Sequence, residues 1–562
     1  MNIRIQNPES RRFLKKIFFI LNAGFWILSS LCAQQKNLPL NREWGLNFEK
    51  CKATINDSAN PCTYYKNDNS CFLPYIIPIK QIDKNDSLRK KTSFIKRKLK
   101  KENLIIVNDT IDKFYLIIDP LFNFEFGKDL SDSSKSFYKN TRGVLVRSDI
   151  GTKFSFESAF LENQATYVKY IDDYIKNTGY LFPNPTNYPY NVIPGQGRSK
   201  SFKKNGYDFG FSSGYISYSP SGHFNFQVGH GKHFVGDGYR SLLLSDNAFN
   251  YPFARITTSF GKIQYTNLYA SFMNLTDGGV TTPPGTERLF QKKAGSFQFL
   301  SWNIHKQIQV GFFNGLIWQA SDSMNNQSLR ISYISPIIYT SALTEGLNGT
   351  TNVLLGATLK VKLTNSISFY GQYMMDDFSA IKNSLHNKTG FQAGAKYFDA
   401  FGAKNLHLQM EYNQVRPYSY ASQKSAQSYT HYNQSLTHPF GANFKEAIAF
   451  LNYRIGDFFA EVKFNYAVIG KDYLNNNFGN NIFKSDTIAL PGSISMLQGA
   501  TTWLIYKEFK IGYLINPSTN FNVVAGISIR TETKDTGNIT HSQTNFVYVG
   551  IRTSLSNVYY DF

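Results

Sequence analysis

The residues with the widest chemical reach lie in a glycine-dense stretch, Gly229-His-Gly-Lys-His-Phe-Val-Gly-Asp-Gly-Tyr-Arg240. A phosphate-cradling loop needs Gly-x4-Gly-Lys followed by Ser or Thr, and here His233 follows Lys232. A dinucleotide loop must open a helix, and Pro252 with its strand-like neighbours leaves little room for one. His230 and His233 stand three apart, so on a strand they point to opposite faces and converge on a metal only if the chain bends between them. The stretch reads better as a tight bend ending a strand at 223–235, where glycine supplies backbone angles other residues resist. Carboxylates at Glu157, Glu162, Asp208, Asp237, Asp246 and Glu411 have the chemistry of general acids and bases. Glycoside cleavage needs two of them roughly 5–10 Å apart, and sequence alone does not pair them. Arg142, Arg198, Arg240, Arg255 and Arg416 are their natural partners along a wet lumen. No His-Glu-x-x-His or Cys/His constellation occurs, and the expectation is a protein that is not an enzyme and takes no metal or cofactor. The candidate site is Arg240, Asp246, Arg255, Glu411 and Arg416. These either brace the lumen as an ion-pair network or meet a ligand, polysaccharide being the candidate.

The elements that would hold these groups are two-sided strands. Leu406, Leu408, Met410 and Tyr412 alternate with His407, Gln409 and Glu411, and Phe458, Ala460, Val462, Phe464 and Tyr466 alternate with Glu461, Lys463 and Asn465. The same period runs through Phe521–Arg530 and Lys153–Glu157. Very short links at Ser219–Gly222, His305-Lys306, Thr364–Ser366, Gly456-Asp457 and Asn516–Asn520 alternate with long polar stretches at 163–205, 273–292, 417–444, 472–497 and 532–543. That parity is the layout of an outer-membrane barrel, with turns in the periplasm and loops outside. The fold class is therefore all-β, a transmembrane antiparallel β-barrel of about 18 strands, 16–18 fitting the pattern. The count takes 143–162 as one strand and 328–335 and 337–343 as two, split by Pro336, and leaves 114–127 unassigned. The last strand is expected at 544–555, with terminal Phe562 presented to the barrel insertion machinery.

Composition agrees with this. Hydrophobic residues are 42%, charged residues 18% and aromatics 16% of 562, a balance that suits pleated surfaces and not disorder. The net charge of +21 has a disproportionate share at Arg11–Lys16 and in Arg89–Lys101, the rest being scattered, and no recognition helix accompanies it, which argues against nucleic acid. A basic stretch, then apolar Ile17–Leu31, then Cys32-Ala33-Gln34, reads as an export signal over 1–33. Leu31 is not the small residue that lipidation of Cys32 requires. Residues 34–112 form a small N-terminal periplasmic extension, either a solvated arm or a unit folded against the barrel mouth. Its basic run is suited to anionic headgroups. Its Cys51, Cys62 and Cys71 allow one disulfide and one leftover thiol, with the pairing open. Residues 113–562 form the barrel, in contact with outer-membrane lipid.

Several phrases resemble a known family. They are Asn37–Glu43, Asp119–Phe122, Asn140–Gly143, Pro194–Arg198, Gly206–Asp208, Gly229–Asn247, Glu411–Tyr418 and His438–Asn443. Together they resemble the RemB-like gliding motility proteins of Bacteroidetes, which are similar to the Wzi-type capsule-assembly barrels. The resemblance implies an outer-membrane protein serving gliding motility or the attachment and assembly of surface polysaccharide. The aromatic, polar segment Tyr167–Tyr190 suits stacking on sugar rings. The alternative is an outer-membrane diffusion channel or porin.

Overall fold

The computed structural model describes residues 34–53, 70–78, 93–132, 136–179, 191–275, 290–321, 330–345, 351–377, 387–474, 476–486 and 494–562. The expected export signal, Cys62 and Arg89–Lys91 lie outside the described residues. The two-sided segments close into one antiparallel barrel of 18 strands. In chain order these are β1 (Phe114–Asp129), β2 (Ser136–Ile150), β3 (Phe154–Ala165), β4 (Gly206–Ser221), β5 (Phe224–Gly231), β6 (Tyr251–Phe260), β7 (Ile263–Asn274), β8 (Gln291–His305) and β9 (Ile308–Gln319). The second half is β10 (Asn352–Lys362), β11 (Ile367–Asp377), β12 (Lys388–Phe398), β13 (Leu406–Val415), β14 (Phe444–Ile455), β15 (Phe458–Lys471), β16 (Ala500–Asn516), β17 (Phe521–Asp535) and β18 (Ile539–Arg552). The ring closes where Phe546–Arg552 of β18 pairs with Asn123–Asp129 of β1, so neither strand is left with a free edge there.

Burial follows the alternation. On β13, His407, Gln409, Glu411 and Asn413 are buried inward, while Met410 between them is 64% exposed. Phe160, Ile216, Val228, Phe369, Tyr373, Phe464, Phe509, Ile511 and Val549 are likewise exposed around the ring. In water such a continuous apolar band would drive aggregation. Around a closed barrel it is the lipid-facing belt, and the protein is an outer-membrane β-barrel.

The strand total agrees with expectation because two departures cancel. Residues 114–127 belong to β1, and the run 143–162 is two strands, turned at Gly151 with φ 61°. In exchange, the strands expected at 328–335 and 337–343 are a single 3-10 turn (Ile331–Ile334) and a short helix (Thr340–Glu345). Pro336 lacks the donor a ladder needs, and the segment packs on the barrel's outer wall instead of joining it. The expected loop at 532–543 shrinks to 536–538 because β17 and β18 continue through it.

The lumen is not uniformly wet. On β7, β8 and β9 the polarity is inverted: Leu268, Phe272, Phe297, Phe299 and Phe313 point inward and are fully buried in the main hydrophobic cluster. Three segments fill the bore. Residues 34–53, including helix α1 (Arg42–Ala53), and residues 70–78 pack inside at the short-hairpin end. There the Ser155 and Ser217 hydroxyls donate to the Gln35 carbonyl at 2.7 and 3.1 Å, and Lys50 meets Asp399 at 2.7 Å. Cys51 is disulfide-bonded, and Cys71 is a buried free thiol. The connection 232–250 folds inward between β5 and β6. The tail 553–562 is the third segment. It corrects the expectation of a final strand to residue 555: β18 ends at Arg552 and the chain turns into the lumen, where Asp561 is buried. Phe562 rests on Tyr170 and Tyr174 of helix α2 (Lys169–Gly179), with ring centroids 6.1 and 4.6 Å apart. Those aromatics of the expected sugar-stacking loop are thus occupied by the protein's own C-terminus.

Met410→Arg puts a charge on the lipid face midway along β13. It should destabilise the barrel by about 2–4 kcal/mol, measured as a lower urea midpoint of the heat-modifiable form in vesicles.

Candidate functional site

The glycine-dense loop follows β5 into the lumen and approaches the opposite wall closely enough to exclude side chains. A Cβ at Gly238 would lie 2.5 Å from Glu411 Oε2 and 2.8 Å from the Arg240 carbonyl oxygen. Gly236 has φ 133°, a region that L side chains rarely adopt. The glycines therefore serve close approach as well as the bend. His230 and His233 do not converge. His233 is fully buried against Tyr251 and Phe253, and His230 faces the Ser212 carbonyl.

Glu411, projecting inward from β13, caps the loop. It accepts from the backbone amides of Tyr239 (2.7 Å) and Arg240 (3.0 Å), from the Tyr370 hydroxyl (2.8 Å) and from Asn413 Nδ2 (2.9 Å). Four donors offset the cost of burying this carboxylate. Arg240, 1% exposed, sends Nη2 to Glu446 Oε1 and to Asp561 Oδ2, both at 3.1 Å. Its guanidinium lies 4.8 and 5.2 Å from the ring centres of Tyr239 and Tyr559. Glu446 also bonds His438 Nε2 (2.6 Å), Asn413 Nδ2 (3.0 Å) and Asn465 Nδ2 (2.8 Å). Lys463 stands 3.6 Å from Asp561 and 3.3 Å from Glu508. Loop, wall and tail thus meet in one buried charge network.

Of the expected site residues, Arg240 and Glu411 come together through the loop backbone. Asp246 ties the same loop to the tail, accepting from the Tyr559 hydroxyl at 2.6 Å and Asn557 Nδ2 at 3.1 Å. Arg255 is elsewhere. Its Nη1 donates to the Pro74 carbonyl at 2.8 Å and its guanidinium lies 4.8 Å from the Phe72 ring centre, holding the 70–78 segment. Arg416 is half-buried at the long-loop end of β13, where its amide donates to the Thr389 carbonyl and its carbonyl accepts from Asn443. Glu446, Asp561, His438 and Lys463 were not among the expected residues. Glu446 and Lys463 were findable as inward positions of β14 and β15. Asp561 was hidden by reading the tail as strand.

A cavity of about 380 Å³ remains between α1, the tail and the walls, lined by Tyr239, Tyr506, Tyr548, Glu508 and Lys463 among others. A second, of about 460 Å³, lies at the short-hairpin end beside His407 and Asn452. At the α1 rim, Glu43 meets Lys510 at 2.8 Å and Arg552 at 2.6 Å. Burial alone would raise its carboxyl, but Arg552 and Lys510 override it and bring it down to about 2.

No protein-family model matches the chain. No curated protein matches it either. Solved structures similar in fold include Wzi of Escherichia coli, described as an outer membrane protein involved in group 1 capsule assembly and a carbohydrate-binding β-barrel. It is 12% identical over 93% of this chain and 100% of that one, with a TM-score of 0.49. OprD of Pseudomonas aeruginosa is 9% identical over 82% of this chain and 98% of that one, with a TM-score of 0.39. OccAB2 of Acinetobacter baumannii is 11% identical over 79% and 98%, with a TM-score of 0.39. At these identities the likeness is one of fold.

Arg240→Ala should cost about 3–5 kcal/mol, because it removes the buried cation that Glu446 and Asp561 share. Urea unfolding should show it, and adding Asp561→Asn should cost less than the sum of the two single changes. The Glu43 contribution is fully present above the ordinary carboxylate value of about 4.3 and is lost as pH falls towards about 2. Pepsin should therefore cut within 34–53 at the acid end of that window and much less at its upper end, whereas Glu43→Gln should be cut across the whole window.

Proposed function

We propose that this barrel is a non-enzymatic outer-membrane protein of surface polysaccharide attachment or assembly, or of gliding motility. The observation that carries the reading is the filled bore. A lumen blocked by Leu242–Leu244, all fully buried, and locked by the Arg240–Glu446–Asp561 network offers little to a diffusing solute. Its working surface is then the long-loop face. The phrases that resemble the RemB-like and Wzi-type proteins support this, because several of them meet at the plug. Arg42 lies 3.5 Å from the Phe450 ring centre inside the lumen, and Lys232 donates to the Gly195 carbonyl at 2.7 Å. Glu411 caps the 236–247 loop, and His438 completes the Glu446 cluster.

In this reading residues 1–33 direct export, 34–112 belong to the periplasmic side, and 113–562 are inserted as the barrel by the barrel insertion machinery. Arg240, Asp246, Arg255 and Glu411 serve the polysaccharide from behind, by fixing the plug under the loop face. Arg416 stands nearest that face. A second reading, a diffusion channel, is favoured by the cavities left in the bore.

Purified protein in planar bilayers should show no sustained conductance, and steady current from the wild type would favour the channel. Deleting the gene should reduce capsule retention or colony spreading. Both unchanged would remove the proposal.

A further inference from the structure

Residues 330–345, in the connection between β9 and β10, lie on the outside of the barrel. Beneath them the wall is inverted, with outward-facing Asn267 of β7, Ser296 and Gln298 of β8, and Asn314 of β9 all buried. A β-strand crosses the hydrocarbon layer in about 9–11 residues. The 12 residues of β7 therefore place Tyr265, Asn267 and Tyr269 within it. Left bare, these polar groups would face acyl chains at a high cost. An irregular segment over them meets the opposite problem, since its own backbone polar groups need partners in lipid.

The structure answers both at once. Three consecutive carbonyls of the segment accept from wall side chains. Tyr269 donates to Ile334 O at 3.0 Å, Gln298 Nε2 to Ser335 O at 3.2 Å, and Tyr265 to Pro336 O. Asn314 Nδ2 reaches the Ser341 hydroxyl at 2.9 Å, and Tyr333 packs on Trp318 with centroids 4.9 Å apart. Backbone bonds from Tyr333 to Arg330, Thr340 to Ile337 and Leu343 to Tyr339 close local turns. With its polar side turned to the wall, the segment presents Ile331 and Leu343, each 84% exposed, and Ile337, 68% exposed.

We infer that residues 330–345 form a strap lying on the barrel wall inside the bilayer, with Ile331, Ile337 and Leu343 in contact with lipid acyl chains. The apolar outer face continues the lipid-facing belt of Leu300, Phe312 and Leu359 on the strands it crosses. The strap thereby substitutes an apolar surface for a polar stretch of wall.

The test uses nitroxide labels on Ile337→Cys and, separately, Leu343→Cys, in full-length protein carrying Cys71→Ser and reconstituted in phosphatidylcholine vesicles. Heat-modifiable migration confirms assembly, and a label at Phe464→Cys gives the lipid-facing reference. Both strap labels should collide with oxygen several-fold more than with a water-soluble nickel chelate, as the Phe464 label does. Adding Tyr265→Phe and Tyr269→Phe should reverse that preference by freeing the carbonyls. Chelate-dominated collision in the otherwise native strap would overturn the inference, as would spin–spin broadening that shows a second copy seated there.

Discussion

A sheet surrounded by lipid has to satisfy every backbone amide and carbonyl without water. Closure between β1 and β18 meets that requirement, and most other features of the molecule follow from it. Once the ring is closed, each strand has one face in lipid and one in the bore. A bore of 18 strands is wider than the wall side chains alone can fill. Chain from elsewhere enters it, and any charge that enters must find a partner there.

That partnering explains the layout of the interior. The glycine-rich loop reaches the far wall because residues without side chains let its backbone approach Glu411. The approach brings Arg240 to Glu446, and the tail brings Asp561 to the same cation. None of the three segments is buried by itself. Loop, tail and N-terminal segment each present groups that the others or the wall complete, so the plug and the barrel stabilise one another. On the other side of the bore, aromatic wall positions and Leu242–Leu244 make a dry contact, and the inverted wall behind it is covered from outside.

Much of this was legible in the sequence. The period-2 runs, the short hairpins and the inward carboxylate at Glu411 all appear where strand alternation places them. The glycine-dense stretch was legible as a bend but not as a plug, because its depth in the lumen depends on Glu411, which is far away in the chain. The strands expected around Pro336 failed because apolar content alone does not distinguish a strand from a segment lying flat on one. The tail failed for a related reason. Terminal Phe562 reads as the aromatic end of a wall strand, and only its neighbours Tyr170 and Tyr174 show the tail turned inward.

By itself, then, the sequence determined the class of the protein: two-sided strands in hairpins, closed into a ring for the outer membrane. Alternation is a local property, and it holds whichever strands become neighbours. Tertiary structure alone decided what fills the ring. Tyr239 and Asp561 are 322 positions apart in the chain, and the energy of a buried charge depends on which distant partner stands beside it once the chain has folded.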